Sequence, residues 1–165
     1  MAALPVPVPG VAVRYWYVGA CGPFALFDAD FEPPGPDGES EFLNLVPAKL
    51  LPPEYADALW AGVREGLGGT TAAVLLTHGR HHELDSSERA FRDAGVMAGR
   101  AALVRAGLLP PEEGPPERFV RVGRNPNAPG TGGGACWADA DQHQGSHRRR
   151  LARHLAVLPP DRRRR

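Results

Sequence analysis

Cysteine is scarce in this chain, which has only Cys21 and Cys136 among its 165 residues. Because a disulfide framework needs several closely spaced cysteines, this composition argues against a disulfide-stapled secreted protein. The sequence also has no apolar run long enough to cross a bilayer and no signal-peptide pattern. We therefore expect a reduced, cytoplasmic location and no membrane partner.

Sequence motifs for three common kinds of catalytic site are missing as well. No G-x-x-x-x-G-K-S/T phosphate loop occurs, and the glycine-rich run at 130–135 lacks the lysine of such a loop. Neither a G-x-S-x-G nucleophile elbow nor an H-E-x-x-H zinc motif is present. We therefore expect no catalytic residue, no cofactor and no bound metal.

The net charge is zero, but charge is distributed unevenly along the chain. Residues 1–110 carry 8 basic and 13 acidic side chains, whereas residues 111–165 carry 11 basic and 6 acidic ones. Clustered charge, more than its sum, attracts polyanions. The arginine-rich segments at 148–154 and 162–165 therefore predict either nonspecific RNA binding or, equally well, a solvated end without structure.

Hydrophobic periodicity predicts a mixed α/β domain. Alternating apolar side chains are typical of half-buried strands, and apolar side chains three or four residues apart are typical of helices. The small residues of the second helix predict that it lies close against a sheet. The predicted strands are 11–17, 24–31, 41–46, 71–77 and 118–122, and the predicted helices are 53–67 and 86–106.

The two ends of the chain differ in composition from the segment between them. Pro5, Pro7 and Pro9 lack backbone donors, so residues 1–10 are expected to form an extended, unpaired lead-in. Thirteen of the 29 residues from Gly107 to Ala135 are Gly or Pro, which is too many for a packed core. The predicted division is a lead-in at 1–10, a domain at 11–109 and a largely disordered, flexible tail at 110–165.

A polar cluster begins where the fourth predicted strand ends. Its last part, D-S-S-E at 85–88, has the pattern of a helix start. Asp85 can accept hydrogen bonds from the first free N–H groups, and Glu88 can reach back as in a capping box. We therefore predict that helix capping explains Asp85, Ser86, Ser87 and Glu88.

The same cluster leaves a second interpretation open. Zinc binds four ligands in a tetrahedral arrangement, often with two histidines one helical turn apart. His78 and His82 have that spacing, but Gly79 and the preceding strand pattern argue against a helix at this position. The alternative functions are a small metal-dependent hydrolase and a degenerate remnant without activity. The hydrolase would use His78, His81, His82, Glu83 and Asp85.

The run AAVLLTHGRHHELDSSERAFRDAGVMAGRAAL at 72–103 resembles domain IV of the translational GTPase elongation factor G. Elongation factor 2 and the tetracycline-type ribosomal protection proteins share this domain. The family pattern is a strand, a glycine-centred turn, a tyrosine-histidine-acidic-aliphatic run, D-S-S-E, an aromatic residue and a helix of small residues. With LLPPEYADALWAGVREGL at 50–67 and CGPFALFDADFEPPG at 21–35, the resemblance covers roughly 19–109.

Three departures from the family pattern are visible. His81 replaces the usual aromatic residue, and Pro23 stands where the family has a glutamine. The family's Gly-Tyr-Pro segment before the third strand is missing, because Gly68 and Gly69 run almost directly into Thr70. No GTPase domain accompanies the resemblance, so the sequence is similar to a stand-alone domain IV and is not expected to hydrolyse GTP.

The resemblance implies a ribosomal protein S5 domain 2-like fold, with a four-stranded sheet and two helices packed on one face. In the family, loops at the tip of this domain reach the ribosomal decoding region and contact tRNA and rRNA. The implied function is a non-catalytic ribosome- and RNA-binding module that modulates translation, with a possible separate GTPase partner. The implied contact residues are Gly19, Cys21, Gly22, Pro23, Phe24, Gly79, Arg80, His81 and His82, with Arg14 as a further phosphate contact.

Overall fold

The computed structural model describes residues 2–17 and 22–123, which form one mixed α/β unit. The helices and strands expected from periodicity occur where the patterns placed them, within a few residues at each end. In chain order the elements are β1 (Val8–Trp16), β2 (Phe24–Glu32), β3 (Glu41–Asn44), α1 (Pro53–Gly66), β4 (Ala73–Arg80), α2 (Glu88–Arg105), a 3-10 helix (Pro111–Glu113) and β5 (Val120–Val122).

The sheet has five strands in the order β3-β4-β2-β1-β5. β3 and β4 are parallel and are joined through α1, while every other neighbouring pair is antiparallel. The expectation of four strands is therefore wrong by one. β1, which the alternating pattern of the sequence predicts, is a full strand of this sheet and lies between β2 and β5. The short β5 forms the edge of the sheet beyond β1.

The proline-rich lead-in is not unpaired, which corrects a second expectation. The N–H of Leu4 donates to the carbonyl oxygen of Thr71 at 2.9 Å, and the N–H of Thr71 donates to the carbonyl of Ala2 at 2.8 Å. Leu4 is buried in the core, and β1 begins at Val8. Each proline lacks only its own donor, so the residues between prolines can still pair.

The core lies between one face of the sheet and the two helices. In β2 every second side chain is buried, namely Ala25, Phe27, Ala29 and Phe31. From the helices, Leu59, Val63 and Phe91 are fully buried in the same cluster. Side chains in a strand alternate between faces, so the opposite face of the sheet is left outside this core.

The two helices pack unusually close together because glycines face each other. A Cβ atom added at Gly62 would lie 2.0 Å from the carbonyl oxygen of Arg92, and one at Gly95 would lie 2.3 Å from that of Leu59. Gly66 and Gly99 are similarly tight. The small-residue face of α2 was expected to approach the sheet, but its glycines instead lie against the backbone of α1.

Residues 110–123 correct the predicted start of the tail. Phe119 and Val120 are buried, and the N–H of Arg14 donates to the carbonyl of Phe119 at 2.7 Å. β5 pairs with β1, so this segment completes the sheet rather than being disordered. The arginine-rich segments of the predicted tail lie outside the described residues. Among the residues described, no helix combines the length and apolar character needed to cross a membrane.

Candidate functional site

Three strand ends meet at one end of the sheet. Trp16 at the end of β1 pairs with Phe24 at the start of β2, and Leu26 pairs with Arg80 at the end of β4. We call this region the tip and define it as Trp16 with residues 22–24 and 79–87. Gly19 and Cys21 lie outside the described residues. The other predicted contact residues, Gly22, Pro23, Phe24, Gly79, Arg80, His81 and His82, all lie within the tip.

The two separate segments of the tip are tied together by hydrogen bonds. The N–H of Phe24 donates to the carbonyl of Asp85 at 3.1 Å. The hydroxyl of Ser86 donates to the carbonyl of Phe24 at 2.8 Å and accepts from the N–H of His82 at 2.8 Å. One serine side chain therefore holds the start of β2 against the loop that follows β4.

His82 lies on the surface of this joined structure. Its ring centroid is 5.7 Å from that of Phe24, and half of its side chain is exposed. Its Nδ1 is 3.2 Å from a carboxylate oxygen of Asp85, which forms an ion pair when the imidazole is protonated. His82 is thus a partly fixed, accessible side chain whose ring and Nδ1 both have partners.

His81 points in another direction from its neighbour. Its Nδ1 lies 2.8 Å from the carbonyl oxygen of Leu50, which also accepts the backbone N–H of His81 at 3.1 Å. Its ring is 5.9 Å from that of Tyr55 in α1. The half-buried His81 therefore fastens the tip loop to the segment before α1, and this is the role that the structure shows for it.

Gly79 and Arg80 also divide into one residue with a packing role and one exposed residue. Gly79 is buried, and a Cβ atom there would lie 3.2 Å from the side chain of Leu51. Close packing therefore accounts for a glycine at this position. Arg80 is exposed and forms no ion pair with another residue in the described part of the chain. Of these two, Arg80 is the one available to a ligand.

The start of α2 corrects the capping-box interpretation. The N-cap is Ser87, whose hydroxyl accepts the N–H of Ala90 at 3.1 Å, and the helix begins at Glu88. Asp85 lies too early to cap this helix and contacts His82 instead. Glu88 is the first helical residue, not the third, so it lacks the position from which a capping-box side chain reaches back.

The residues proposed for a metal-dependent hydrolase do not converge. His81 bonds to Leu50 and His82 to Asp85, while His78 is exposed on β4 and pairs in register with Asp28. In residues 2–17 and 22–123, no three or more His, Cys, Asp or Glu side chains are grouped as a metal site would require. The geometry therefore gives no support to the hydrolase.

Arg14 has structural partners on the outer face of the sheet, which is the face turned away from the helices. Its guanidinium lies 2.7 Å from a carboxylate oxygen of Asp28 and donates to the carbonyls of Val13 and Phe27. Trp16, two residues further along, has the same orientation and was missed as a site residue. The alternation that places Val11 and Val13 in the core could have identified it.

Comparison with known proteins agrees with the resemblance seen in the sequence. The family model described as elongation factor G, domain IV, matches residues 17–107, which is more than half of the chain. A crystal structure of a protein from Thermus thermophilus matches 61% of this chain at 24% identity, with a TM-score of 0.48. This chain corresponds to 17% of the length of that protein. On the strength of the family match, the chain belongs to the elongation factor G domain IV family.

Proposed function

We propose that this chain is a non-catalytic module that binds the ribosome through its tip and modulates translation. The observation that carries the proposal is the tie between Phe24 and the loop at 82–86, which holds two segments within the family match as one surface. A surface held in advance loses little conformational entropy when it binds. Such a module needs no cofactor and works in the cytoplasm, where ribosomes are found.

Recognition at the tip would depend mainly on shape and on contacts to the RNA backbone. Single-stranded loops and irregular RNA present both phosphates and unstacked bases, and side chains such as Arg80 and His82 suit these groups. The arginine-rich segments at 148–154 and 162–165 would add sequence-independent attraction through counterion release. We further propose that GTP hydrolysis, where it is coupled to this module, comes from a separate GTPase domain or partner.

Ribosome co-sedimentation over a range of salt concentrations tests the proposal. Arg80→Gln at the tip is matched by Arg105→Gln at the C-terminal end of α2, an 18-residue helix about 27 Å long that begins beside the tip. Both arginines are exposed, and both variants change the net charge equally. Loss of one phosphate contact in Arg80→Gln should weaken binding and lower the salt slope by about one, whereas Arg105→Gln should bind like the parent chain.

His82→Ala supplies a second test of the same surface. Removing this exposed ring should weaken co-sedimentation without unfolding the domain, because most of its contacts are on the surface. Equal ribosome binding by Arg80→Gln, Arg105→Gln and His82→Ala would contradict a role for the tip. Absence of any ribosome binding by the parent chain would favour the degenerate remnant.

A further inference from the structure

Three rings form a continuous row across the outer face of the sheet at the tip. The rings of Trp16 and Phe24 are stacked, with centroids 5.8 Å apart and an interplanar angle of 20°. The ring of His82 continues the row, 5.7 Å from Phe24. We call Trp16, Phe24 and His82 the aromatic platform.

The platform has no evident role in the core. Trp16 is 37% exposed, and its neighbours on the same face of β1 are the half-buried Ala12 and Arg14. A single exposed aromatic side chain is ordinary in a folded protein. Three neighbouring rings across two strands and a loop are less ordinary. Trp16 and Phe24 are nearly parallel, the ring of His82 is tilted by 48° to that of Phe24, and Trp16 and His82 are the exposed members of the row. Exposed ring surface of this kind suits a planar ligand.

Charges on the same face are arranged around the platform. Arg80 pairs in register with Leu26 and Arg121 with Ala12, which places both exposed guanidinium groups on the outer face. Neither arginine forms an ion pair with another described residue. Arg80 therefore supplies a cation one row from the platform, whereas Arg121 supplies a second cation further back on the same face, level with Ala12 and Asp28.

The far part of the outer face has the opposite charge. The outward side chains of β2 change from Phe24 and Leu26 near the tip to Asp28, Asp30 and Glu32 away from it. Asp28 is neutralised by Arg14, while Asp30 accepts a hydrogen bond from the N–H of Gly10 at 2.7 Å. A polyanion lying on this face would be attracted to the platform and repelled from the other end.

From this arrangement we infer that the aromatic platform binds unpaired bases of single-stranded RNA by stacking, while Arg80 contacts an adjacent phosphate and Arg121 contacts a phosphate further along the strand. Stacking on aromatic side chains combined with a cationic surround is how proteins bind single strands with little sequence preference. A duplex hides its base faces in its own stack and would not use the platform. The inference rests on the proposed function, because it names unpaired bases as the part of the RNA that the tip binds.

Tryptophan fluorescence of the full-length chain tests the stacking directly. Replacing the other two tryptophans, Trp60→Phe and Trp137→Phe, leaves Trp16 as the sole reporter. A ten-nucleotide oligouridylate should quench this fluorescence in a saturable way, because a stacked base lies against the indole. Inorganic polyphosphate, which has the charge without bases, should bind arginines but leave the emission of Trp16 nearly unchanged.

Variants then separate stacking from charge. In the otherwise unchanged chain, Trp16→Ala should weaken oligouridylate binding by about 5-fold to 150-fold in fluorescence anisotropy with a labelled oligonucleotide. Trp16→Tyr keeps a ring and should restore most of the affinity. Tyr17→Ala is the matched control, because Tyr17 is also exposed but packs against Tyr15 and Phe119 instead of the platform.

The outcomes distinguish this inference from the proposed function. Equal quenching by polyphosphate, or equal affinity of the Trp16→Ala and Tyr17→Ala variants, would overturn the stacking inference even if the parent chain bound ribosomes. Quenching by oligouridylate that depends on Trp16, without ribosome binding, would support the inference and contradict the proposed function. Thermal unfolding of each variant verifies that the loss of binding is not a loss of folding.

Discussion

The hydroxyl of Ser86 lies 2.8 Å from the carbonyl oxygen of Phe24, although the two residues are 62 positions apart in the chain. The same hydroxyl accepts the N–H of His82 from within its own loop. Together with the backbone bond from the N–H of Phe24 to the carbonyl of Asp85, this contact fixes the relative position of the two tip segments, and no other side chain among the described residues is hydrogen-bonded to the backbone of both. The local arrangement of the tip thus depends on a long-range hydrogen bond.

Ser86→Ala should loosen the tip, because it leaves the N–H of His82 and the carbonyl of Phe24 without their side-chain partner. We expect the free energy of unfolding to fall by about 1–3 kcal/mol. Ser87→Ala is the control, since it removes the N-cap bond to Ala90 at a cost of about 1 kcal/mol but spares the tie. Hydrogen exchange at the amide of His82 should accelerate in the first variant only, and equal exchange in both would disprove the tie.

Gly95→Ala should strongly disturb the packing of α1 against α2. The new methyl group would lie 2.3 Å from the carbonyl oxygen of Leu59, a backbone atom that cannot rotate away. Overpacking of this kind costs about 1–3 kcal/mol or more, which outweighs the gain of about 1 kcal/mol in helix propensity. Urea unfolding should show a lower midpoint than in the parent chain.

Gly35→Ala provides the comparison for that experiment. The nearest side-chain atom to a Cβ at position 35 is an oxygen of Asp37 at 3.5 Å, an ordinary contact distance. Its unfolding midpoint should stay close to that of the parent chain. A Gly95→Ala variant as stable as Gly35→Ala would show that the helices are further apart than described.

Stability should decline at alkaline pH partly because of Tyr15. Burial, reinforced by the negative charge of Asp93, raises the pKa of the Tyr15 hydroxyl above its ordinary value of 10.0. The neutral form of Tyr15 is therefore favoured in the folded state. Its contribution to the free energy of unfolding is complete below pH 10 and is lost as the pH rises through the higher folded-state pKa. Urea unfolding at pH 9 and pH 11 measures this for the parent chain and for Tyr15→Phe. The free energy of unfolding should fall less between the two pH values in the variant than in the parent chain. An equal fall in both would contradict this role of Tyr15.

Chelation should not destabilise the domain. The Nδ1 atom of His81 already contacts the carbonyl oxygen of Leu50, and the Nδ1 atom of His82 contacts the carboxylate of Asp85. Among the described residues, no three His, Cys, Asp or Glu side chains are grouped so that they could hold a metal ion. Thermal unfolding in the presence and absence of excess EDTA should give the same midpoint. A lower midpoint with EDTA that recovers after addition of zinc would revive the metal-dependent interpretation.

Local patterns in the sequence predicted most of the elements but not the contacts at the ends of the chain. The alternation in β2 follows from burial of one face, so Phe27 and Phe31 can be assigned to the core without a structure. The pairing of Leu4 with Thr71 joins distant segments, and nothing in the proline-rich lead-in itself indicates its partner. β5 falls within the predicted strand 118–122, but nothing in the Gly- and Pro-rich segment around it indicates that its partner is the distant β1.

The candidate site was located by its motif, but the roles within it depended on tertiary contacts. D-S-S-E contains three residues able to cap a helix, and sequence alone favoured Asp85. The structure selects Ser87 because Ser86 is engaged with Phe24 and Asp85 with His82. Adjacent histidines 81 and 82 look equivalent in the sequence, yet one faces the segment before α1 and the other faces solvent.

The position of β1 has a practical consequence for anyone excising this domain. The family match begins at Tyr17 and ends at Gly107, so trimming to those boundaries would delete both β1 and β5. β2, which is now an interior strand of nine residues, would then expose an unpaired backbone ladder together with Phe27 and Phe31. Open ladders of this kind promote aggregation, so a soluble recombinant fragment should retain residues 2–123.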